Sequence, residues 1–203
     1  MKKFTFDAFI KANAQVLDEI RHTAWNLHES VGQTYDKNLP YGHHLSMVAD
    51  AAIKYGYEVV NNESDIIPVV FAAYFHDSIE DARLTYNDVV SIAGRFMTNE
   101  QCITAAEIVY ALTNDKGRTR KERAGEHYYA GIRETPYAPF VKLCDRLANM
   151  TYCFNGTNDA NNHMHKVYAS EWSYFIQAIT VCNQDSRYSI PASMVSEVQS
   201  LFA

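Results

Sequence analysis

Apolar positions in the first quarter of the chain recur with helical spacing. Between residues 6 and 29 they return every three or four positions, at Phe9, Ala12, Val16, Ile20, Ala24 and Leu27. A second segment of this kind covers residues 41–55 and ends at Gly56. Residues 32–40, between the two segments, lack this spacing. The pattern therefore predicts two amphipathic helices joined by a loop.

Residues 66–75 are apolar almost without interruption, and the polar sequence His-Asp-Ser-Ile-Glu-Asp follows at once in residues 76–81. A segment that is hydrophobic on every side is typical of a buried central helix, although a buried strand has the same pattern. The combined length of about 16 residues and the presence of Ala72 and Ala73 favour the helix. We therefore predict one central helix over residues 66–81.

Two helix starts are indicated in the middle of the chain. Thr85 is followed three residues later by Asp88, and Thr98 by Gln101, which is the spacing of a capping box. The first helix is expected to end near Gly94. Residues 114–123, beyond the second helix, are polar and basic. We expect that stretch to be a loop.

The last third of the chain again has helical spacing. Pro136 and Pro139 mark the start of a helix that continues through Met150. Residues 155–162 are rich in Asn and Gly and are predicted to form a loop, followed by a long amphipathic helix over residues 163–184 and a short one after Pro191. We therefore predict an all-α helical bundle that forms a single domain over residues 1–203.

Composition excludes several classes of protein. The 203 residues include only 8 glycines and 5 prolines, too few turn formers for a barrel or sandwich of many short strands. The longest apolar run, residues 66–75, is far shorter than the ~20 residues that span a bilayer, so no membrane association is expected. The net charge of −6 argues against a nucleic-acid partner. The oligomeric state is not indicated.

The four cysteines, Cys102, Cys144, Cys153 and Cys182, show no C-x-x-C spacing. They lie in apolar or helical segments, where reduced cysteines serve as packing residues. This usage is typical of a cytoplasmic protein.

Candidate chemistry is concentrated in a few polar residues on three separate segments: His44, then His76, Asp77, Glu80 and Asp81, then Asp145. A His-Asp pair beside an apolar helix is costly unless a metal or a charge satisfies it. Two imidazoles and two carboxylates suit a divalent transition metal such as Mn, Fe, Co, Ni or Zn. The alternative is that His76 is an ordinary buried histidine and that Glu80 and Asp81 form a solvated helix end.

Four ordered motifs resemble the RelA/SpoT-type hydrolase domain of the HD superfamily of metal-dependent phosphohydrolases. Residues 40–49 are similar to its PY-x-x-H-x-x-x-VA stretch, and residues 76–81 match its HD-x-x-ED box. Residues 112–123 resemble its T-x-x-K…ER segment, and residues 141–149 its VKLAD-[KR]-L-x-N helix. The motif-bearing core is thus about residues 37–150, with C-terminal helices in residues 163–203 packed on it. Because no synthetase domain is recognised, the chain resembles the small, hydrolase-only alarmone hydrolases.

The resemblance implies a role for each matching residue. One divalent metal, typically manganese, would be bound by His44, His76, Asp77 and Asp145. Glu80 and Asp81 would position and activate the attacking water, and Asn149 would contact the sugar of the substrate. His43, next to His44, is the less favoured alternative ligand because it points elsewhere on a helix.

An anionic substrate requires local positive charge in this acidic protein. Five basic residues fall within residues 116–123, although a solvated loop would look the same. Lys142 and Arg146 flank Asp145 and could equally pair with surface acids. Lys37 is the strongest single candidate, because the resemblance places in its loop a cation that contacts the base or a phosphate.

The resemblance implies removal of the 3′-pyrophosphate from guanosine tetra- or pentaphosphate, giving GDP or GTP and pyrophosphate. Two departures concern the substrate pocket rather than the metal ligands: Ala82 stands where Thr is common, and Leu45 follows His44 where the family usually has proline. Alternatives are hydrolysis of a 5′-nucleotide or a 3′-phosphate, antitoxin-like removal of the product of a partner synthetase, and a metal-stabilised binding or regulatory module without catalysis.

Overall fold

Helices form nearly all of the regular structure in the residues that the computed structural model describes, 1–37, 39–156, 159–182 and 184–202. The α-helices are α1 (Lys3–Ala12), α2 (Ala14–Ser30), α3 (Gly42–Tyr55), α4 (Ile66–Phe75), α5 (Tyr86–Ala93), α6 (Asn99–Leu112), α7 (Arg120–Arg123), α8 (Glu126–Glu134), α9 (Ala138–Asn155), α10 (Asp159–Ile179) and α11 (Ala192–Ser200). Short 3-10 turns lie at Gly56–Glu58, Glu63–Asp65 and Ser186–Tyr188. The all-α prediction is confirmed.

The first predicted helix is divided in two. Asn13 separates α1 from α2, and its side-chain amide donates to the carbonyl oxygen of Phe9 at 2.9 Å. A local side-chain bond of this kind competes with the helical ladder, which the apolar spacing alone does not reveal. The predicted loop at residues 32–40 contains a small antiparallel pair, β1 (Thr34–Asp36) and β2 (Leu39–Pro40).

Helix α4 is the centre of the molecule. It packs against α2, α3, α6 and α9, and every residue in it except Ile67 is buried. The prediction that this helix continues to residue 81 was wrong, because α4 ends at Phe75 and residues 76–81 form successive turns. The amide of Asp81 still donates to the carbonyl oxygen of Asp77 at 2.8 Å, so one helical bond remains. The turns place several polar side chains together at the end of the central helix.

Both predicted capping boxes are present, at Thr85–Asp88 and Thr98–Gln101, and α5 and α6 begin at these positions. Helix α9 has Pro139 in its first turn, as predicted. The basic stretch at residues 114–123 includes the short helix α7 rather than only loop. Helix α10 begins at Asp159, earlier than predicted, so the expected loop is shorter. Residues 157 and 158, which belong to the predicted loop, lie outside the described residues.

Every α-helix of the described residues except α7 contributes side chains to one hydrophobic core. The single domain over residues 1–203 stays a prediction. Helix α9 packs against α3, α4, α8 and α10 and so brings distant parts of the sequence to the end of α4. None of the helices formed by the described residues is long and apolar enough to cross a bilayer.

Candidate metal centre and active site

Two histidines meet at the end of α4. His44 lies in the first turn of α3 and His76 directly after α4, and each is 2% exposed. Their Nε2 atoms are 3.2 Å apart. The Nδ1 of His76 lies 2.9 Å from the carbonyl oxygen of Ala73, which can only accept, so Nδ1 carries a proton and Nε2 is the nitrogen that faces His44. His43 is exposed and is not part of the cluster that could hold a metal among the described residues.

Two carboxylates complete the cluster. Asp77 Oδ2 lies 3.0 Å from the Nε2 of His76 and 3.8 Å from that of His44. Asp145, from α9, places Oδ1 at 3.4 Å from the Nε2 of His44 and 3.8 Å from that of His76. One potential ligand atom from each of His44, His76 and Asp145 lies within 4.8 Å of the other two. The four predicted metal ligands are therefore neighbours, with Asp77 at the edge of this triad.

The imidazoles and carboxylates of the cluster shift one another's pKa values. Burial lowers the pKa of His76, but the charges of Asp77 and Asp145 outweigh it and raise that pKa to about 9. Burial acts to raise the pKa of Asp77, yet His76 holds it well below its usual range. Partly buried carboxylates thus attract a proton onto a neighbouring, fully buried imidazole. A divalent cation would satisfy the same donors, and two imidazoles with two carboxylates suit a transition metal.

A second layer of hydrogen bonds orients the acidic ligands. The hydroxyl of Tyr41 donates to Asp77 Oδ2. Lys142 Nζ donates to Asp145 Oδ2 at 3.0 Å, and the amide of Asn149 donates to Asp145 Oδ1 at 2.6 Å. Two predicted substrate-binding residues, Lys142 and Asn149, are therefore bound to a predicted metal ligand. Such partners fix the direction of a ligating carboxylate.

Tyr35 is a member of the site that sequence reasoning missed. Its ring stacks on His44, and its hydroxyl donates to Asn149 Oδ1 at 3.0 Å. It lies in β1, five residues before the first motif, where neither helical spacing nor a matched motif marked it. Only the docking of the β1–β2 pair against α3 and α9 brings it to the centre.

The predicted catalytic acids lie beside the cluster, each with a polar partner. Glu80 accepts from the amide of Asn114 at 2.9 Å and from Arg123 at 3.5 Å. Asp81 accepts from the amide of Gln33 at 3.1 Å. Burial, with a contribution from the negative charge of Asp77, raises the pKa of Asp81 to about 6. A carboxylate with that pKa can take up and release a proton near neutral pH.

One cavity of about 250 Å³ gives access to these groups. Its walls include His44, Asp77, Glu80, Asp81, Asp145 and Asn149 together with the cations Arg120, Arg123, Lys142 and Arg146. Lys37 lies elsewhere, in a neighbouring cavity of about 470 Å³ that shares Tyr41 with the first. Lys37 therefore stays a predicted substrate contact, at a position next to the metal-site cavity rather than in its wall.

No family model matches the chain. A curated relative, the guanosine-3′,5′-bis(diphosphate) 3′-pyrophosphohydrolase MESH1 of the zebrafish Danio rerio, is 27% identical over 141 residues, which cover 68% of this chain and 69% of the relative. A solved structure described as a metazoan ortholog of SpoT that hydrolyses ppGpp superimposes with a TM-score of 0.59 and 18% identity, over 93% of this chain and 96% of the other. Together these comparisons confirm the predicted resemblance of this chain to the ppGpp-hydrolase type of HD-superfamily domain.

Proposed function

We propose that this protein is a metal-dependent phosphohydrolase that removes the 3′-pyrophosphate of guanosine tetra- or pentaphosphate. One observation carries the proposal: His44, His76, Asp77 and Asp145 converge at the base of a cavity that also holds the Glu80–Asp81 pair and several cations. The activity named for the zebrafish relative supports the choice of substrate.

The proposed ligands of the metal are His44, His76, Asp77 and Asp145, and manganese is the proposed ion. When bound, the metal supplies a Lewis acid that polarises a phosphoryl oxygen and makes water a stronger nucleophile. The protein contributes the orientation of the ligands. Tyr41 and Lys142 each hold one carboxylate by a charge-assisted hydrogen bond.

Glu80 and Asp81 are proposed to act as the general base and general acid of the reaction. A carboxylate accepts a proton from the attacking water, the oxygen of that water bonds to phosphorus, and the bond to the ribose 3′-oxygen breaks. The 3′-oxygen takes a proton as it leaves, so guanosine tetraphosphate and one water give GDP and pyrophosphate. Asp81 suits this role because its pKa of about 6 lies close to neutral pH.

Four substrate contacts are proposed, at Lys37, Asn149, Lys142 and Arg146. Asn149 and Arg146 line the metal pocket, and Lys142 adds positive charge beside Asp145. Lys37 would contribute from the neighbouring cavity, where it could meet a part of the nucleotide that extends past Tyr41.

A cytoplasmic setting is proposed from the chemistry of the cysteines. Cys102, Cys144 and Cys153 are buried free thiols, and Cys182 is an exposed one. Free thiols persist in reducing compartments. Nucleotide substrates of the proposed kind are available there.

A substrate panel tests the function. Purified protein is incubated with Mn²⁺ and, in parallel, guanosine tetraphosphate, dGTP, GMP and a nucleoside 3′-monophosphate, and pyrophosphate and phosphate release are measured separately. We expect pyrophosphate from the tetraphosphate alone, and loss of that activity in Asp77→Ala. Preferred release of phosphate from a 5′-nucleotide would contradict the proposal.

A further inference from the structure

A glutamate on α10 joins two arginines at the rim of the active-site cavity. Glu171 Oε1 accepts from Arg120 Nε at 2.9 Å, and Glu171 Oε2 accepts from Arg120 Nη2 at 3.2 Å. The same Oε2 accepts from Arg146 Nη1 at 3.0 Å. No motif included Glu171, because it lies on α10, beyond the last matched segment at residues 141–149.

Arg146 is the fixed end of this chain of contacts. The residue is only 7% exposed, and its guanidinium lies 4.6 Å from the ring centroid of Tyr168 and 4.2 Å from that of Phe175. A buried guanidinium between two rings loses little further freedom when it binds a carboxylate. Arg146 therefore holds Glu171 in one place.

Arg120 is the accessible end. Its side chain is 49% exposed and also lies over the ring of Tyr168, 5.5 Å from the ring centroid. Glu171 accepts from the N–H of Nε and from one N–H of Nη2. The two N–H groups of Nη1 and the second one of Nη2 do not donate to Glu171. Since Arg120 also lines the metal-site cavity, those donors are available to an anion there.

The position of Arg120 differs from that of the other cations in the cavity. Lys142 is bound to the ligand Asp145, and Arg123 lies near the catalytic acid Glu80. Arg120, on α7, is held instead by Glu171 of α10. Arg120, Arg146 and Glu171 together carry a net positive charge, so this cluster still attracts an anion.

We propose that Glu171 is a positioning residue that fixes Arg120 as the contact for the diphosphate group of the substrate that is not cleaved. This inference rests on the proposed function, since a substrate with a second diphosphate is needed. Fixing the guanidinium in advance removes the cost of ordering a long side chain upon binding. The planar fork of arginine also matches the oxygens of a phosphate.

Binding of GDP and of guanosine to the Mn²⁺-loaded protein tests the proposal without turnover. GDP carries the uncleaved diphosphate and guanosine lacks it, so the ratio of their dissociation constants, measured by calorimetry, reports the diphosphate contact. Arg120→Gln is expected to weaken GDP binding by on the order of 10-fold, and Glu171→Gln by about 2- to 10-fold. Guanosine binding should not change. The double variant should be no weaker than Arg120→Gln.

Glu197→Gln is the matched control. Glu197 also accepts from two partners, Lys54 and Tyr55, and is similarly exposed, but it lies outside the metal-site cavity. In this variant the ratio of the dissociation constants of GDP and guanosine should equal the ratio in the wild type. A thermal melt of each variant shows whether it is folded. If Glu171→Gln does not fold, Arg120→Gln still tests the diphosphate contact, because Arg120 is exposed and its substitution is not expected to unfold the protein.

Three outcomes would overturn the proposal. The first is tighter GDP binding in Glu171→Gln, which would make Glu171 a competitor of the phosphate. The second is equal weakening of GDP and guanosine, which would make the ion pair merely structural. The third is a wild type that binds GDP and guanosine equally. Failure of the hydrolysis panel with these binding results intact would reject the function alone.

Discussion

The ring of Tyr35 lies parallel to the imidazole of His44, with the ring centroids 4.8 Å apart and the planes at 15°. This contact joins the β1–β2 pair to helix α3 at a proposed metal ligand. The hydroxyl of Tyr35 also holds the side-chain oxygen of Asn149, whose amide holds Asp145. One side chain from an unmatched segment thus restrains two proposed ligands.

Substitution of Tyr35 should weaken metal binding in two steps. Tyr35→Phe keeps the stacking and loses the hydrogen bond, whereas Tyr35→Ala loses both. Because loss of such supporting contacts typically costs about 10- to 100-fold in metal affinity, we expect the smaller effect for Phe and the larger for Ala. Calorimetric titration with Mn²⁺ measures the metal affinity of each variant. Tyr86→Phe, which loses a bond to Glu107 away from the site, should bind metal as the wild type does.

Removal of a carboxylate ligand should abolish metal retention. Protein purified without chelator is expected to contain one transition-metal ion per chain, and Asp77→Ala and Asp145→Ala should contain far less. Elemental analysis by mass spectrometry gives the stoichiometry. Asp7→Ala, which removes an exposed partner of Lys3, is the control. Equal metal content in the wild type and both ligand variants would reject the assignment.

The resemblance of the motifs predicted the four proposed metal ligands, and the structure brings these residues together from three packed segments. Helical periodicity predicted α3 and α9, which carry His44 and Asp145. Neither source of information could identify Tyr35 or Glu171. Their roles depend on how β1 and α10 dock, and docking is decided by contacts between segments distant in sequence.

The end of α4 was mispredicted for a related reason. A continuous helix over residues 66–81 has favourable local spacing, but the structure turns after Phe75. The turns bring His76 and Asp77 to face His44, a requirement that lies outside the local sequence.

Catalytic variants of the acidic pair should keep the metal and lose turnover. Glu80→Gln and Asp81→Asn remove proposed proton-transfer groups that are not ligands, so each should slow hydrolysis by ~10²–10⁴-fold. Steady-state rates and metal content are measured on the same samples. Glu107→Gln, which alters a surface carboxylate outside the cavity, should leave the rate unchanged. If both variants hydrolyse the substrate at the wild-type rate, Glu80 and Asp81 have no catalytic role and belong only to a solvated turn.

Acid should destabilise the fold through His28. This side chain is fully buried against Tyr41, neither ring nitrogen has a hydrogen-bond partner among the described residues, and burial lowers its pKa to about 4. Between pH 6.5 and about 4 the unfolded chain binds a proton that the folded protein does not, so the free energy of unfolding falls as the pH falls. At pH 4.5 the loss should be about 2 kcal/mol.

Urea unfolding of the metal-free protein at pH 7 and pH 4.5 measures this loss. His28→Phe keeps the stacking on Tyr41 and removes the titrating group, so its stability should fall less between the two pH values. His22→Gln, an exposed substitution on the same helix, should follow the wild type. An identical pH dependence in His28→Phe and the wild type would show that another group is responsible.

The most direct test of the proposed function is to identify the products by ³¹P NMR while Mn²⁺-loaded protein acts on guanosine 3′,5′-bis(diphosphate). The spectrum distinguishes pyrophosphate from phosphate and shows which diphosphate of the nucleotide disappears. We predict that pyrophosphate and GDP appear in equal amounts, that the 5′-diphosphate remains intact, and that Asp77→Ala produces neither. Release of phosphate alone, loss of the 5′-diphosphate, or an unchanged substrate would contradict the account.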